Sequence, residues 1–313
     1  MVELIQENSF FIEGEPLVVK RTYPFRFAFL NDAHVCSQFG LFPKDGWSDH
    51  YGSRTLPNDG QAYLNECLDD YSQKCAENKT NILLCPGDFT IGLNPKEKGK
   101  FVMNIELDEQ ADIGAYVISE FCRKVPSINE VWLWKGTGYH GSSDSSIEKK
   151  ISDKLNASYD IKSRFWGEYS FIPLKWKEYR KMLFITHPAS QASMYPEQAM
   201  GKDMMLWQEA VTQKKLPKID MIIRAHKHSF IEVHKPSIRS LQLPCWQFAV
   251  PYDQQLMNFA RWQPDIGSVI MLFDEKLRTT VWHFTYDNYI NPSRFINISS
   301  VYDIEETNLK EIE

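Results

Sequence analysis

The sequence has no C-x-x-C pair, no long apolar run, no surplus of basic charge and no internal repeat. Each absence closes a class of protein. The six cysteines, Cys36, Cys67, Cys75, Cys85, Cys122 and Cys245, are scattered through 313 residues. That is the usage of reduced, mostly buried thiols rather than of a disulfide frame. No apolar run approaches the ~20 residues that a membrane span requires. The opening Met1-Val-Glu-Leu-Ile-Gln-Glu7 shows neither the basic region nor the apolar stretch of a secretory signal. A cytoplasmic protein with no membrane partner is the expectation. With 35 basic against 41 acidic side chains the net charge is −6, which leaves no basic face to coat nucleic acid or an anionic bilayer. A phosphate-bearing substrate held through cations is compatible with that balance.

What is present is material for a core. Hydrophobic residues make up 43% and aromatics 13% of the chain, well outside the composition of disordered segments. No low-complexity linker divides it, so one domain is expected over residues 23–298, with an extension at 1–22 and an acidic tail at 299–313. Short edge strands are expected at Phe10–Ile12 and Leu17–Val19. Phe25–Leu30 alternates and is aromatic-rich, which is strand chemistry, and it runs into Asn31-Asp32-Ala33-His34. The polar stretch Ser37–Pro57 is long enough to read as a functional loop.

Asn58 or Asp59 caps a helix whose Leu64, Leu68, Tyr71 and Cys75 share one stripe. Ile82–Cys85 is a short apolar run, the mark of a strand buried on both faces, and Pro86-Gly87-Asp88 ends it. The loop Gly92–Asn104 leads to a helix over Asp108–Lys124. Val131–Trp134 is another buried run, ending in Gly136-Thr137-Gly138-Tyr139-His140. A helix over Asp144–Asn156 follows, then a strand pair at Phe165–Ile172 and Tyr179–Thr186 that ends in His187-Pro188. A helix at Met200–Gln213 precedes the strand Ile219–Arg224, which empties into Ala225-His226-Lys227-His228. Ser237–Trp246, Ser268–Phe273 and Thr279–Thr285 read as antiparallel strands, the last two joined at Asp274-Glu275-Lys276.

Five of these strands end in a metal-capable residue: Asp32 and His34, Asp88, His140, His187, and His226 with His228. Parallel or mixed sheets bring strand ends to one edge, so groups distant in sequence can converge there. Buried aspartate is costly unless it is paired or metal-bound. Just past a strand, Asp-x-His and His-x-His can grip one ion or two adjacent ones. Imidazole and carboxylate without thiolate suit zinc, iron or manganese rather than calcium or magnesium. Each motif taken singly reads as a turn, a cap or a surface group. Their joint placement at strand ends favours a metal site.

The order Asp32-x-His34, Gly87-Asp88, Gly136-x-x-x-His140, His187 and Ala225-His226-x-His228 resembles the calcineurin-like metallophosphoesterases, over roughly residues 25–285. The resemblance implies an α/β fold in which a two-sheet β sandwich is flanked by helices in four αββα layers. It implies two divalent ions (manganese, zinc or iron). Asp32, His34 and His228 would hold one ion and His187 and His226 the other, with Asp88 bridging. Thr137 stands where the family usually has a ligating asparagine, in a variant Gly-Thr-x-x-His block. His140 would be the catalytic acid, beside Asp88. The implied activity is hydrolysis of a phosphate ester by a hydroxide between the ions, with a phosphodiester such as a nucleotide or nucleic-acid end favoured over a monoester. Arg224, Lys227 and Tyr139 are candidate phosphate contacts, and Trp47, Tyr51 and Phe101 could stack on a base. The alternative is a catalytically weakened relative acting as a protein-binding module.

Overall fold

The computed structural model describes residues 25–93, 99–104, 106–138, 147–188, 196–250 and 263–287. The expected strands at Phe10–Ile12 and Leu17–Val19, the extension and the tail lie outside these residues.

Thirteen strands and four helices are described, and most of the strands build two sheets packed face to face. The first half of the chain lays down β1 (Arg26–Phe29), α1 (Asp59–Glu77), β4 (Ile82–Pro86), α2 (Leu107–Lys124), β5 (Glu130–Trp134), α3 (Ile147–Ser158) and β6 (Ser163–Phe165). β1, β4, β5 and β6 are parallel neighbours, and β12 (Ile266–Phe273) and β13 (Thr279–Tyr286) complete the sheet antiparallel, in the order β13-β12-β1-β4-β5-β6. The second sheet runs β10 (Ile231–Lys235), β11 (Ile238–Gln242), β9 (Met221–Arg224), β8 (Tyr179–Thr186) and β7 (Tyr169–Trp176). α4 (Pro196–Thr212) joins β8 to β9.

Both faces of each sheet are covered, which explains the unbroken apolar runs. Phe25, Phe27, Phe29, Ile82, Leu84, Trp132, Trp134, Val269 and Met271 of the first sheet meet Ile172, Leu183, Ile185, Met221, Ile223 and Leu241 of the second. The opposite face of the first sheet packs on α1, α2 and α3 through residues such as Leu64, Tyr71, Ile113, Phe121 and Ile151. Met204 and Trp207 of α4 cover Phe184 and Ile222. The result is the four-layer αββα arrangement that the resemblance implies.

Local chemistry sets the boundaries. Asn58 caps α1 in a capping box: its side chain accepts the Gln61 N–H at 2.9 Å, and Gln61 Oε1 accepts the Asn58 N–H at 3.0 Å. Phe165–Ile172 is not one strand. Gly167, at φ +81°, turns the chain so that Phe165 ends in the first sheet and Tyr169 begins in the second. The 238–242 strand is parallel to β9 and antiparallel to β10, so it is not part of a purely antiparallel set. The 37–57 loop contains a two-residue pairing of β2 (Trp47–Ser48) with β3 (Arg54–Thr55).

Candidate metal centre

The strand ends do converge. Asp32 and His34 follow β1, Asp88 follows β4, Thr137 follows β5, His187 follows β8, and His226 and His228 follow β9. Two sets of ligand-capable atoms result, each set within 4.8 Å: Asp32, His34 and His228 in one, Asp88, His187 and His226 in the other. His187 Nε2 lies 2.8 Å from Asp88 Oδ2 and 3.9 Å from Asp32 Oδ1, so the two sets adjoin. Asp88 falls in the second set.

The backbone that carries these groups is unusual. Asp32, His34, Asp88, His226 and His228 all have positive φ, between 42° and 75°. L-residues avoid this region at a cost of roughly 1–2 kcal/mol each, with Asp and His among the better tolerated. Such strain gathers where a site demands it. Here it breaks the strand alternation directly after β1, β4 and β9 and turns each loop across the sheet edge. Neighbouring loops then lock together: the His34 N–H donates to Asp88 O at 3.2 Å, Val35 N–H to Phe89 O at 2.9 Å, and Ile91 N–H to Val35 O at 3.0 Å.

Close packing fixes the second set. Gly87, at φ +83°, leaves room for the His187 ring, because a Cβ there would fall 2.5 Å from His187 Cγ. His187 Nδ1 stands 2.7 Å from the Pro86 carbonyl. A carbonyl only accepts, so Nδ1 carries the proton and Nε2, turned towards Asp88, is the candidate ligand atom. Thr137 donates its backbone N–H to Asp88 Oδ1 at 2.6 Å, and its hydroxyl lies 3.1 Å from both Asp88 oxygens.

The donor set fits a cation. Asp32 Oδ1 is fully buried and accepts no well-formed hydrogen bond, while His228, His187 and His34 nitrogens stand 3.4, 3.9 and 4.0 Å away. Asp32 Oδ2 is satisfied by Asn31 Nδ2 at 2.8 Å and by the His226 N–H at 3.2 Å. The Nε2 atoms of His34 and His228 face each other at 3.3 Å, an arrangement that calls for a proton or a cation between them. The electrostatics agree. Burial pushes the Asp32 carboxyl up, but His187 and His228 outweigh it and bring it down to about 2. Burial pushes His187 down, yet Asp88 and Asp32 raise it to about 9. His228 rises well above its ordinary value, against burial, through Cys245 and Asp32. The two carboxylates at His187, and Cys245 with Asp32 at His228, therefore favour positive charge at this spot. Asp32, Asp88 and His187 form its floor, while the His226 and His228 side chains are 39% and 25% exposed and mark its mouth.

Other candidates fare differently. His140 and Tyr139 lie outside the described residues. Arg224 is committed to structure, with Nη2 2.5 Å from Asp203 Oδ2 and Nη1 donating to Pro188 O at 2.9 Å, so it braces the turn after His187 instead of facing a phosphate. Trp47 is turned onto α2, its indole N–H on Glu109 at 2.9 Å and its ring edge-on to Tyr116. Phe101 packs edge-on against Phe39. Tyr51 is 86% exposed, and Lys227 sits half-buried between the two histidines. A cavity of about 210 Å³ beside α1 and α2 shares no lining residue with the ligand sets.

Asp265 is a residue that sequence reading misses. Its N–H donates to His228 O at 2.7 Å, its Oδ2 accepts the Phe230 N–H at 2.7 Å, and its carbonyl accepts the Cys245 N–H at 2.9 Å. It clamps the His226–His228 turn from outside. Its only local signal is a Pro264-Asp265 pair just before a strand.

No family model matches the chain, and no curated protein matches it. Solved structures similar to it include zinc-bound Vps29 from Entamoeba histolytica, at 12% identity and TM-score 0.39, covering 83% of this chain and 92% of that one. A novel archaeal phosphodiesterase matches at 11% identity and TM-score 0.38, covering 83% and 100%. A dimetal phosphatase from Danio rerio matches at 10% identity and TM-score 0.41, covering 84% and 100%. Similarity at this level assigns neither a family nor an activity.

Proposed function

We propose that this chain is a metal-dependent phosphoesterase that hydrolyses a phosphodiester, a nucleotide or a nucleic-acid end, in preference to a monoester. The observation that carries the reading is the adjoining pair of imidazole–carboxylate sets at the carboxyl ends of strands from both sheets. Divalent ions held there would supply Lewis acidity, lowering the pKa of bound water and neutralising charge on a phosphoryl group. Asp32, His34 and His228 would hold one ion and His187, His226 and Asp88 the second, with Asp88 shared. Thr137 orients Asp88 through its N–H and is the remaining candidate ligand. His140 is assigned the acid role, protonating the leaving oxygen, a contribution of order ~10²–10⁴-fold for a positioned acid. The exposed edges of His226 and His228 face the side from which substrate enters.

The test is diesterase and monoesterase assay after manganese, zinc or iron loading, beside Asp88→Asn and His140→Ala. Full activity in Asp88→Asn would sink the two-ion proposal. An unchanged rate for His140→Ala on a substrate with a poor leaving group removes the acid role.

One observation favours a second reading. Thr137 engages both oxygens of Asp88, which competes with a shared ion and suits a weakened relative that serves as a protein-binding module. Metal analysis separates the readings: near two equivalents supports the enzyme, and none after reconstitution supports the module.

A further inference from the structure

Four strands form the edges of the two large sheets, and three of them carry the usual safeguards against pairing with another chain. β6 is three residues long and includes Arg164. β7 contains Pro173 and Lys175, and β10 contains Glu232 and Lys235. β13 has none of these. Its eight residues, Thr279-Thr-Val-Trp-His-Phe-Thr-Tyr286, include no proline and no acidic, lysine or arginine side chain. They are almost all β-branched or aromatic, the composition that pairs most readily. Among the described residues no strand pairs with the outer edge of β13. Near its centre Trp282 is 45% exposed.

We propose that β13 is a self-association edge, on which the β13 of a second copy of this chain adds antiparallel about a two-fold axis normal to the sheet. The absence of aspartate, glutamate, lysine and arginine points to a second copy. In a two-fold antiparallel pair the residues beside the axis lie opposite or near their own duplicates, so a charged residue there meets a like charge, which is destabilising. A strand serving a different partner gains from complementary charges and has no such restriction. The same symmetry brings the two Trp282 side chains onto one face beside the axis, and aromatic and threonine cross-strand pairs are among the favourable ones. The pairing joins the two six-stranded sheets into one and is isologous, so it closes at two copies. It is independent of the metal-centre reading.

The test is light scattering on the full chain from low to high micromolar concentration, for wild type, Trp282→Lys and Thr280→Lys. The expected result is twice the 36.6 kDa chain mass for wild type and single-chain mass for both lysine variants, with unchanged circular dichroism. Mixing Trp282→Lys with Trp282→Glu is expected to restore the double mass, an outcome that a folding defect cannot produce. A wild type of single-chain mass throughout the range overturns the proposal, whether a terminal segment of the same chain or a foreign strand covers the edge. A double mass that survives both lysines places the interface elsewhere and overturns it equally.

Discussion

Gly136 lies against Asp88 so tightly that a Cβ on it would fall 2.1 Å from the Asp88 carboxylate and 2.3 Å from the Asp88 backbone nitrogen. The turn after β5 therefore presses directly on the carboxylate after β4. Gly136→Ala is expected to push Asp88 out of the second ligand set. A misplacement of about 1 Å costs ~10²-fold in a positioned reaction. Turnover and metal content measured together check this, with loss of both expected. Retention of full metal content and rate would show that the turn is not coupled to the site.

Gly87→Ala is expected to destabilise the protein by more than about 1 kcal/mol, since it adds left-handed backbone strain to a collision with His187. The collision, unlike the strain, disappears if the ring is removed. In urea melts the Gly87→Ala/His187→Ala double variant is therefore expected to be less destabilised than the sum of the single variants. Simple additivity would mean that the ring moves aside freely.

Asp265→Ala keeps the two backbone bonds of residue 265 but removes the acceptor for the Phe230 N–H. The His228 turn loosens, and affinity at the first ligand set is expected to fall ~10–100-fold, the range for groups that orient metal ligands. Manganese titration by equilibrium dialysis is the measurement. Unchanged affinity would remove Asp265 from the positioning role.

Acid sensitivity has a contributor remote from the site. Burial raises the Asp69 carboxyl, but Lys124 and Lys44, both in contact with it, outweigh burial and hold it below its ordinary value. A depressed carboxyl stabilises the fold above the unfolded pKa, and that stability is lost as pH falls through the folded one. Asp69→Asn is therefore expected to lower stability at neutral pH, by under about 1 kcal/mol because the group is partly exposed. It is also expected to flatten the decline below about pH 4. Urea melts at neutral and acid pH check both; an equal loss at all pH values would assign the effect to packing.

Much of this architecture is legible in the sequence because its signals are local. Ile82–Leu84 and Val131–Trp134 are apolar without alternation, and both are covered on two sides. Asn58 and Gln61 announce the start of α1. The candidate ligand positions stand out only together: each motif taken singly reads as a turn, a cap or a surface group, and it is their shared placement after apolar runs that marks them. What is not legible depends on partners far along the chain. Arg224 looks available for a phosphate until Asp203 and Pro188 are seen to hold it, and Trp47 looks like a stacking platform until Glu109 takes its N–H. Gly167 gives no sign in sequence that it switches the chain between sheets.

The five left-handed residues of the candidate ligand sets have a consequence for substitution at those positions. Glycine at position 32, 34, 88, 226 or 228 would relieve backbone strain while erasing a ligand. Replacement of these side chains by glycine is thus conformationally downhill at five separate positions. Aspartate or histidine at every one of them is held against that backbone strain, so the fold itself bears the cost of the arrangement.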